Sequence, residues 1–163
     1  MNFNKNINIG NIQLNKNSKS YIIAEIGANF DGSFETAKKY CLAAKEAGAD
    51  CAKFQSFKAE KIVSDGGFKQ MKLKGVHGTW DKSVYEVFKS VEFPREWHKP
   101  IADYCKEIGI DFSTSPYDFE AVDLCVELDV PFIKIGSGEI TWLEMIKKIS
   151  STQKPIFLAT GDA

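Results

Sequence analysis

Two histidines in 163 residues, and four cysteines with no CxxC spacing, leave little material for a metal centre or a disulfide framework. An excess of charge is missing too. Lys plus Arg is 21 and Asp plus Glu is 22, a formal net charge of −1 with no basic block. That argues against nucleic acid or an anionic membrane as a partner held by bulk charge. No apolar run approaches the ~18 residues of a membrane-spanning helix. The amino terminus, MNFNKNINIGNIQL, is Asn-rich and has no apolar core of a signal peptide. No GxGxxG or Walker A sequence follows any apolar run, which removes the usual nucleotide-binding versions of an open parallel sheet. Internal repeats and low-complexity linkers are absent as well. Cys41, Cys51, Cys105 and Cys125 all lie in apolar segments, as reduced core thiols of a cytoplasmic protein do.

What is present is a globular composition, 44% hydrophobic and 26% charged. From Tyr21 onward, short apolar runs alternate with helical patterns. The runs are YIIAEI (21–26), CAKFQ (51–55), DFSTS (111–115), FIKI (132–135) and PIFLAT (155–160). Ser33 opens a helix with Ala37, Tyr40, Cys41 and Ala44 on its apolar face, closed by Gly48. Pro94 starts a second helix, with Trp97, Ile101, Tyr104, Cys105 and Ile108 inward and Gly109 at its end. Asp118 caps a third, carrying Val122, Cys125 and Leu128. Thr141 and Glu144 are spaced as a capping box for a fourth, with Met145, Ile146 and Ile149. Five strands and four intervening helices in this order predict a parallel sheet covered by helices. Two closures fit: a doubly wound open sheet, or a TIM (β/α)8 barrel truncated just past halfway, since a full barrel needs ~250 residues. Residues 1–20, with INIGNIQL around Gly10-Asn11, predict a hairpin cap on the barrel portion, 21–163.

Period-two alternation says which side chains share a strand face. It groups Ile23 with Glu25, Lys53 with Gln55, Thr114 with Phe112, Lys134 with Phe132 and Thr160 with Leu158, with Phe54 toward the helices. A polar group near the carboxyl end of every strand is the signature of a site in barrel enzymes. Lys53 and Lys134 are cations suited to phosphate or carboxylate. Gly136-Ser137-Gly138 offers backbone N–H groups and a hydroxyl to an anion, and Thr114 and Thr160 add neutral donors. Glu25 and Glu139 suit acid–base work or a grip on sugar hydroxyls. The segment 57–93 is long for a βα connection and reads as a lid, a substrate wall or a structural insertion, with a short helical pattern at Val84–Phe88. His77 in that segment reads as an exposed loop residue, and His98 as a helix-surface residue.

At these residues the chain resembles a known family. IIAEIGANFDGS, AAKEAGADCAKFQSFKAEKIVS, FSTSPYDFEAVD, VPFIKIGSGEITWLEMIKKIS and KPIFLATG, in that order, resemble the sialic acid (N-acetylneuraminate, nonulosonic acid) synthases. The resemblance runs from Tyr21 to the carboxyl terminus. It implies a (β/α)8 catalytic barrel that condenses phosphoenolpyruvate with an N-acylated hexosamine such as N-acetylmannosamine, giving a nonulosonic acid and phosphate. It implies Mn2+ or Mg2+ as cofactor, with ligands on later strands that this chain does not contain. A homodimer is implied for the complete protein, and little activity for this portion alone. Carried over by residue, Lys53, Thr114, Lys134, Ser137 and Thr160 become phosphoenolpyruvate contacts. Gln55 and Glu139 become sugar contacts, and Glu25 and Glu139 the carboxylates near the reacting carbons. The family's NHNG stands here as Asn29-Phe30-Asp31-Gly32, and its STG as Ala159-Thr160-Gly161. Three alternatives stay open: a 3-deoxy-sugar-acid synthase, a Schiff-base aldolase using Lys134, and a non-catalytic half barrel acting through a partner chain.

Overall fold

A computed structural model describes residues 4–71 and 80–161. Gly75, His77, Gly78 and Thr79 lie outside the described residues. The chain opens with β1 (Ile7–Ile9) and β2 (Ile12–Leu14), an antiparallel hairpin turning at Gly10-Asn11. Its buried contribution is Ile9, packed with Cys51 and Phe132. The alternating portion follows: β3 (Ile23–Gly27), α1 (Phe34–Glu46), β4 (Cys51–Ser56), α5 (Arg95–Ile108), β5 (Asp111–Pro116), α6 (Phe119–Glu127), β6 (Ile133–Ile135), α7 (Leu143–Ser151) and β7 (Ile156–Leu158). Three short helices, α2 (Ala59–Ile62), α3 (Asp65–Gln70) and α4 (Val84–Ser90), occupy the long connection between β4 and α5. Gly66 and Gly67 are helical within α3, which Ser64 caps by accepting from the Gly67 amide at 3.1 Å.

The strands pair in parallel, but not as one ladder. β3, β4 and β5 form one sheet, and β6 with β7 another. The seam between β5 and β6 is bridged by the Ser113 hydroxyl, which donates to the Phe132 carbonyl at 2.8 Å. Pro131, at the entry to β6, has no amide to add to a ladder there. The main core lies between the sheet and α1, α5, α6 and α7, around Phe54, Phe112, Ile101, Cys105 and Val122. A smaller cluster on the opposite sheet face joins Ile9, Cys51 and Phe132 with Tyr21, Ile23 and Phe157. All four cysteines are buried and free. Among the described residues no helix is long and apolar enough to cross a membrane.

Three local expectations change. Tyr40 is 43% exposed, because it lies beside β3, an edge strand with no neighbour on that side among the described residues. Thr141 and Glu144 form no capping box. Trp142 holds the N-cap position of α7 without a side-chain bond, since the 3-10 turn Ser137–Glu139 and the turn after it delay the first helical residue to Leu143. A capping box does form on α4, where Ser83 accepts from the Glu86 amide and Glu86 accepts from the Ser83 amide. His98 is the largest departure. It is fully buried rather than on the helix surface, because positions 98, 101 and 105 form one stripe of α5 against the sheet. Gly109 ends that helix in the left-handed region, φ 74°, where its amide reaches the last turn.

Candidate active site

Laterally paired residues of a parallel sheet point to the same face, so the strand register sorts the polar side chains. Glu25 pairs with Lys53, Lys53 with Ser113, and Gln55 with Ser115. These five share the face turned away from the helices. The Lys53 ammonium, only 6% exposed, forms an ion pair with Glu25 and donates to the Ser115 hydroxyl at 3.3 Å. Glu25 keeps its carboxylate half open to solvent. The register shifts between Glu25 and Gly27, so that Gly27 pairs with Phe54. Gly27, at φ 59°, leaves a gap in which a Cβ would meet Glu25 Oε1 at 3.5 Å and Gln55 Nε2 at 3.8 Å.

Lys134 pairs with Phe157 and faces the same floor. Its ammonium donates to the Ile135 carbonyl at 2.7 Å. Burial lowers its pKa first, and the nearby Lys53 charge lowers it further, against a smaller pull from Glu25 and Glu139. Two cations thus face one space with one carboxylate in contact, an arrangement that favours an arriving anion. Beyond β6, the Glu139 carboxylate folds back over Gly136. Burial raises its pKa, although backbone N–H groups and Lys134 oppose that rise. A carboxyl so placed can carry a proton nearer neutral pH than an ordinary glutamate.

Gly136 is extended, at φ −68°, yet a Cβ there would collide with Oε2 of Glu139. Gly136→Ala therefore meets no backbone strain but displaces that carboxylate. The expected result is a Glu139 pKa that falls towards the ordinary value, read by carbon NMR titration, with stability changed by less than ~1 kcal/mol.

Two residues expected in the site are on the other face. Thr114 pairs with Phe54, is 1% exposed on the helix side, and bonds the Ser56 hydroxyl at 3.0 Å. Ser115 occupies the position beside Lys53 instead. Thr160 shares parity with Ile156 and Leu158, opposite Phe157, and is exposed. The residues of β7 and its continuation with the parity of Lys134 are Phe157, Ala159 and Gly161, and a Cβ on Gly161 would lie 3.8 Å from that of Ser137. Lys53, Gln55, Glu25, Lys134 and Glu139 are brought together; Ser137 stands next to them at the start of the 3-10 turn. The sequence reading missed Ser113, Ser115 and Tyr117, which parity counted from Lys53 through the register would have found. Phe30, where the family motif has histidine, is 1% exposed and packs edge-to-face on Phe93 and Trp97, so it serves the core.

Fold and floor together define a parallel α/β protein with a polar site of two lysines and two glutamates at the carboxyl ends of its strands. A sequence model of the NeuB family matches residues 40–163, and the chain belongs to that family. It is 40% identical to the N,N′-diacetyllegionaminic acid synthase of Campylobacter jejuni over 146 residues, 89% of this chain and 43% of that one. It is 36% identical to the N-acetylneuraminate-9-phosphate synthase of mouse, covering 86% of this chain and 39% of the relative. The chain thus spans less than half the length of the curated relatives it matches. Its fold is similar to the crystal structure of N-acetylneuraminic acid synthetase from Leptospira borgpetersenii, with TM-score 0.82 and 23% identity over 97% of this chain and 50% of that one.

The divalent metal implied by the resemblance does not find a full ligand set here. Among the described residues no three His, Cys, Asp or Glu side chains converge to hold an ion, and Glu25 is committed to Lys53.

Proposed function

We propose that this chain is the amino-terminal portion of a (β/α)8 barrel, capped by the hairpin of residues 1–20, that condenses phosphoenolpyruvate with an N-acylated hexosamine. The observation that carries this reading is the pairing of Lys53 and Lys134 over one floor, with Glu25 and Glu139 at its rim. Phosphoenolpyruvate brings two anionic groups, and the two ammonium groups supply fixed positive charge for them. Ser115 and Ser137 add hydroxyl contacts to the anion, and Gln55 and Glu139 contact the sugar. In the reaction, C3 of phosphoenolpyruvate attacks the aldehyde carbon of the open-chain sugar, forming the C–C bond, and the aldehyde oxygen takes up a proton. Water adds at C2 and loses a proton, and phosphate departs with cleavage of its C–O bond. Glu139, with its raised pKa, is the group placed to carry one of those protons. The identities to legionaminic and neuraminic acid synthases support an N-acylated sugar as the acceptor.

The test uses the natural gene product at full length, given phosphoenolpyruvate labelled with 18O in the bridging position. N-acetylmannosamine and a diacetamido hexose serve as acceptors. The expected result is acceptor-dependent release of phosphate that retains the label. Label left on the organic product, or no release with either acceptor, overturns the reading. The lowered pKa of Lys134 is also what a Schiff-base lysine requires. Borohydride trapping with pyruvate is expected to leave Lys134 unmodified; labelling there would make the protein an aldolase.

A further inference from the structure

Tyr117 continues the inward parity of Ser113 and Ser115 just past the end of β5, and its amide donates to the Ser56 carbonyl at 3.1 Å. Its ring stands edge-on to Phe57 at 6.0 Å, and Phe57 packs on Phe88 of α4 at 5.7 Å. The aromatic series thus runs from the 57–93 insertion to the rim of the site. The insertion is closed on itself and tied to the start of α6. Glu92 accepts from the Ala59 amide at 2.6 Å, and Lys61 pairs with Glu120 at 2.8 Å and Asp118 at 3.8 Å. At the other end of the side chain, the hydroxyl oxygen lies 3.6 Å from where a Cβ on Gly136 would stand, the point that the Glu139 carboxylate covers. Among the described residues no hydrogen bond engages that hydroxyl.

We infer that Tyr117 is a specificity-determining contact of this site, donating a hydrogen bond from its hydroxyl to an uncharged oxygen of the N-acylated sugar. The inference rests on the condensation reading above. It assigns Tyr117 to the sugar because its hydroxyl stands over Gly136, at the point covered by Glu139, the carboxylate assigned above to the sugar. Burial and the charges of Glu139 and Glu25 push the phenol up to about 12, so it remains a proton donor throughout the working range. Phe57 packs on the ring and Phe88 packs behind Phe57, so these two side chains of the insertion are the wall that aims this contact.

Tyr117→Phe keeps the ring and removes only the donor. In the natural full-length protein, KM for the amino sugar is expected to rise roughly three- to tenfold, the range of one neutral hydrogen bond. KM for phosphoenolpyruvate is expected to stay within about twofold. An unchanged sugar KM overturns the inference, and so does an equal rise in both constants, which would mean a general loosening of the site. Phe88→Ala tests the wall separately: it is expected to raise the sugar KM while leaving that of phosphoenolpyruvate, and an unchanged sugar KM would remove the insertion from the assignment. Wild-type protein that releases no phosphate with either acceptor overturns the condensation reading itself, and this inference falls with it. Normal wild-type turnover with an indifferent Tyr117→Phe overturns the inference alone.

Discussion

Replacing Lys53 by methionine in the full-length protein is expected to weaken phosphoenolpyruvate binding by about 2 kcal/mol or more, roughly thirtyfold, the cost of removing one partner from a desolvated charge contact. Methionine keeps the unbranched shape, so the packing loss is small. Glu25, half exposed, keeps its hydration once its partner is gone, and the thermal midpoint is expected to move by less than about 4 °C. The same variant carries a second signature. Part of the lowering of the Lys134 pKa comes from the Lys53 charge. Anion affinity is lost as pH rises through the Lys134 pKa, because the ammonium then gives up its proton. Without Lys53 that pKa rises, so the alkaline limb of affinity against pH moves to higher pH. Calorimetry of phosphoenolpyruvate binding across pH 7–10 reads both effects. Retained affinity would remove Lys53 from the anion site, and a limb that stays in place would separate the two lysines electrostatically.

Much of this arrangement was legible in the sequence, and the part that was not has a physical cause. Strand positions, three of the four major helix caps and the polar strand ends follow from local patterns that pay attention only to near neighbours. Face assignment does not. β4 is buried on both sides, with Cys51, Ala52, Lys53 and Phe54 all below a tenth exposed, so no solvent-facing alternation marks which parity looks inward. Lys53 and Gln55 share one face by alternation, and the register puts them beside Ser113 and Ser115. In β5, Ser113, Thr114 and Ser115 are polar at three consecutive positions, and only the register with β4 decides that the serines join Lys53 while the threonine turns to the helices. Thr160 lies past the end of β7, where no strand pairing marks its direction. The sheet break before β6 depends on Pro131 and on a side-chain bond from Ser113, a tertiary contact with no local signature. His98 was misread because a histidine beside Trp97 and Lys99 looks like the polar margin of a helix. Its side-chain partner Ser56 lies 42 residues back along the chain, Ser56 is bonded in turn by Thr114 of β5, and this arrangement becomes visible only once the sheet is assembled.

Those partners make His98 the source of a strong acid dependence. Its Nδ1–H donates to the Pro94 carbonyl at 3.0 Å and the Arg95 carbonyl at 3.2 Å, which leaves Nε2 to accept from the Ser56 hydroxyl. Ser56 in turn accepts from Thr114. A second proton on the ring would place a positive charge in a space closed by Phe93 and Phe112 and force the Ser56 hydroxyl to turn from donor to acceptor. Burial lowers the His98 pKa from about 6.5 to about 4, and the charges of Arg95 and Lys58 add to the fall, with the two carbonyls opposing it. The unfolded chain therefore binds a proton at this residue that the folded chain refuses. Stability contributed by the neutral ring is complete above pH 6.5 and is lost as pH falls towards 4. At ~1.4 kcal/mol per tenfold change in proton affinity, the expected loss is about 3 kcal/mol. Glu139, with its raised pKa, acts in the opposite direction, so the comparison must be with a variant that shares it. His98→Asn keeps a neutral donor and acceptor but cannot titrate. It is expected to be less stable than wild type at pH 7 and to close that gap steadily between pH 6.5 and 4 in urea unfolding. Parallel curves would show that His98 accepts its proton in the fold. Converging curves would establish that the hydrogen-bonded chain from α5 through Ser56 to Thr114, which ties together the strand ends bearing Gln55 and Ser115, holds only while this imidazole stays neutral.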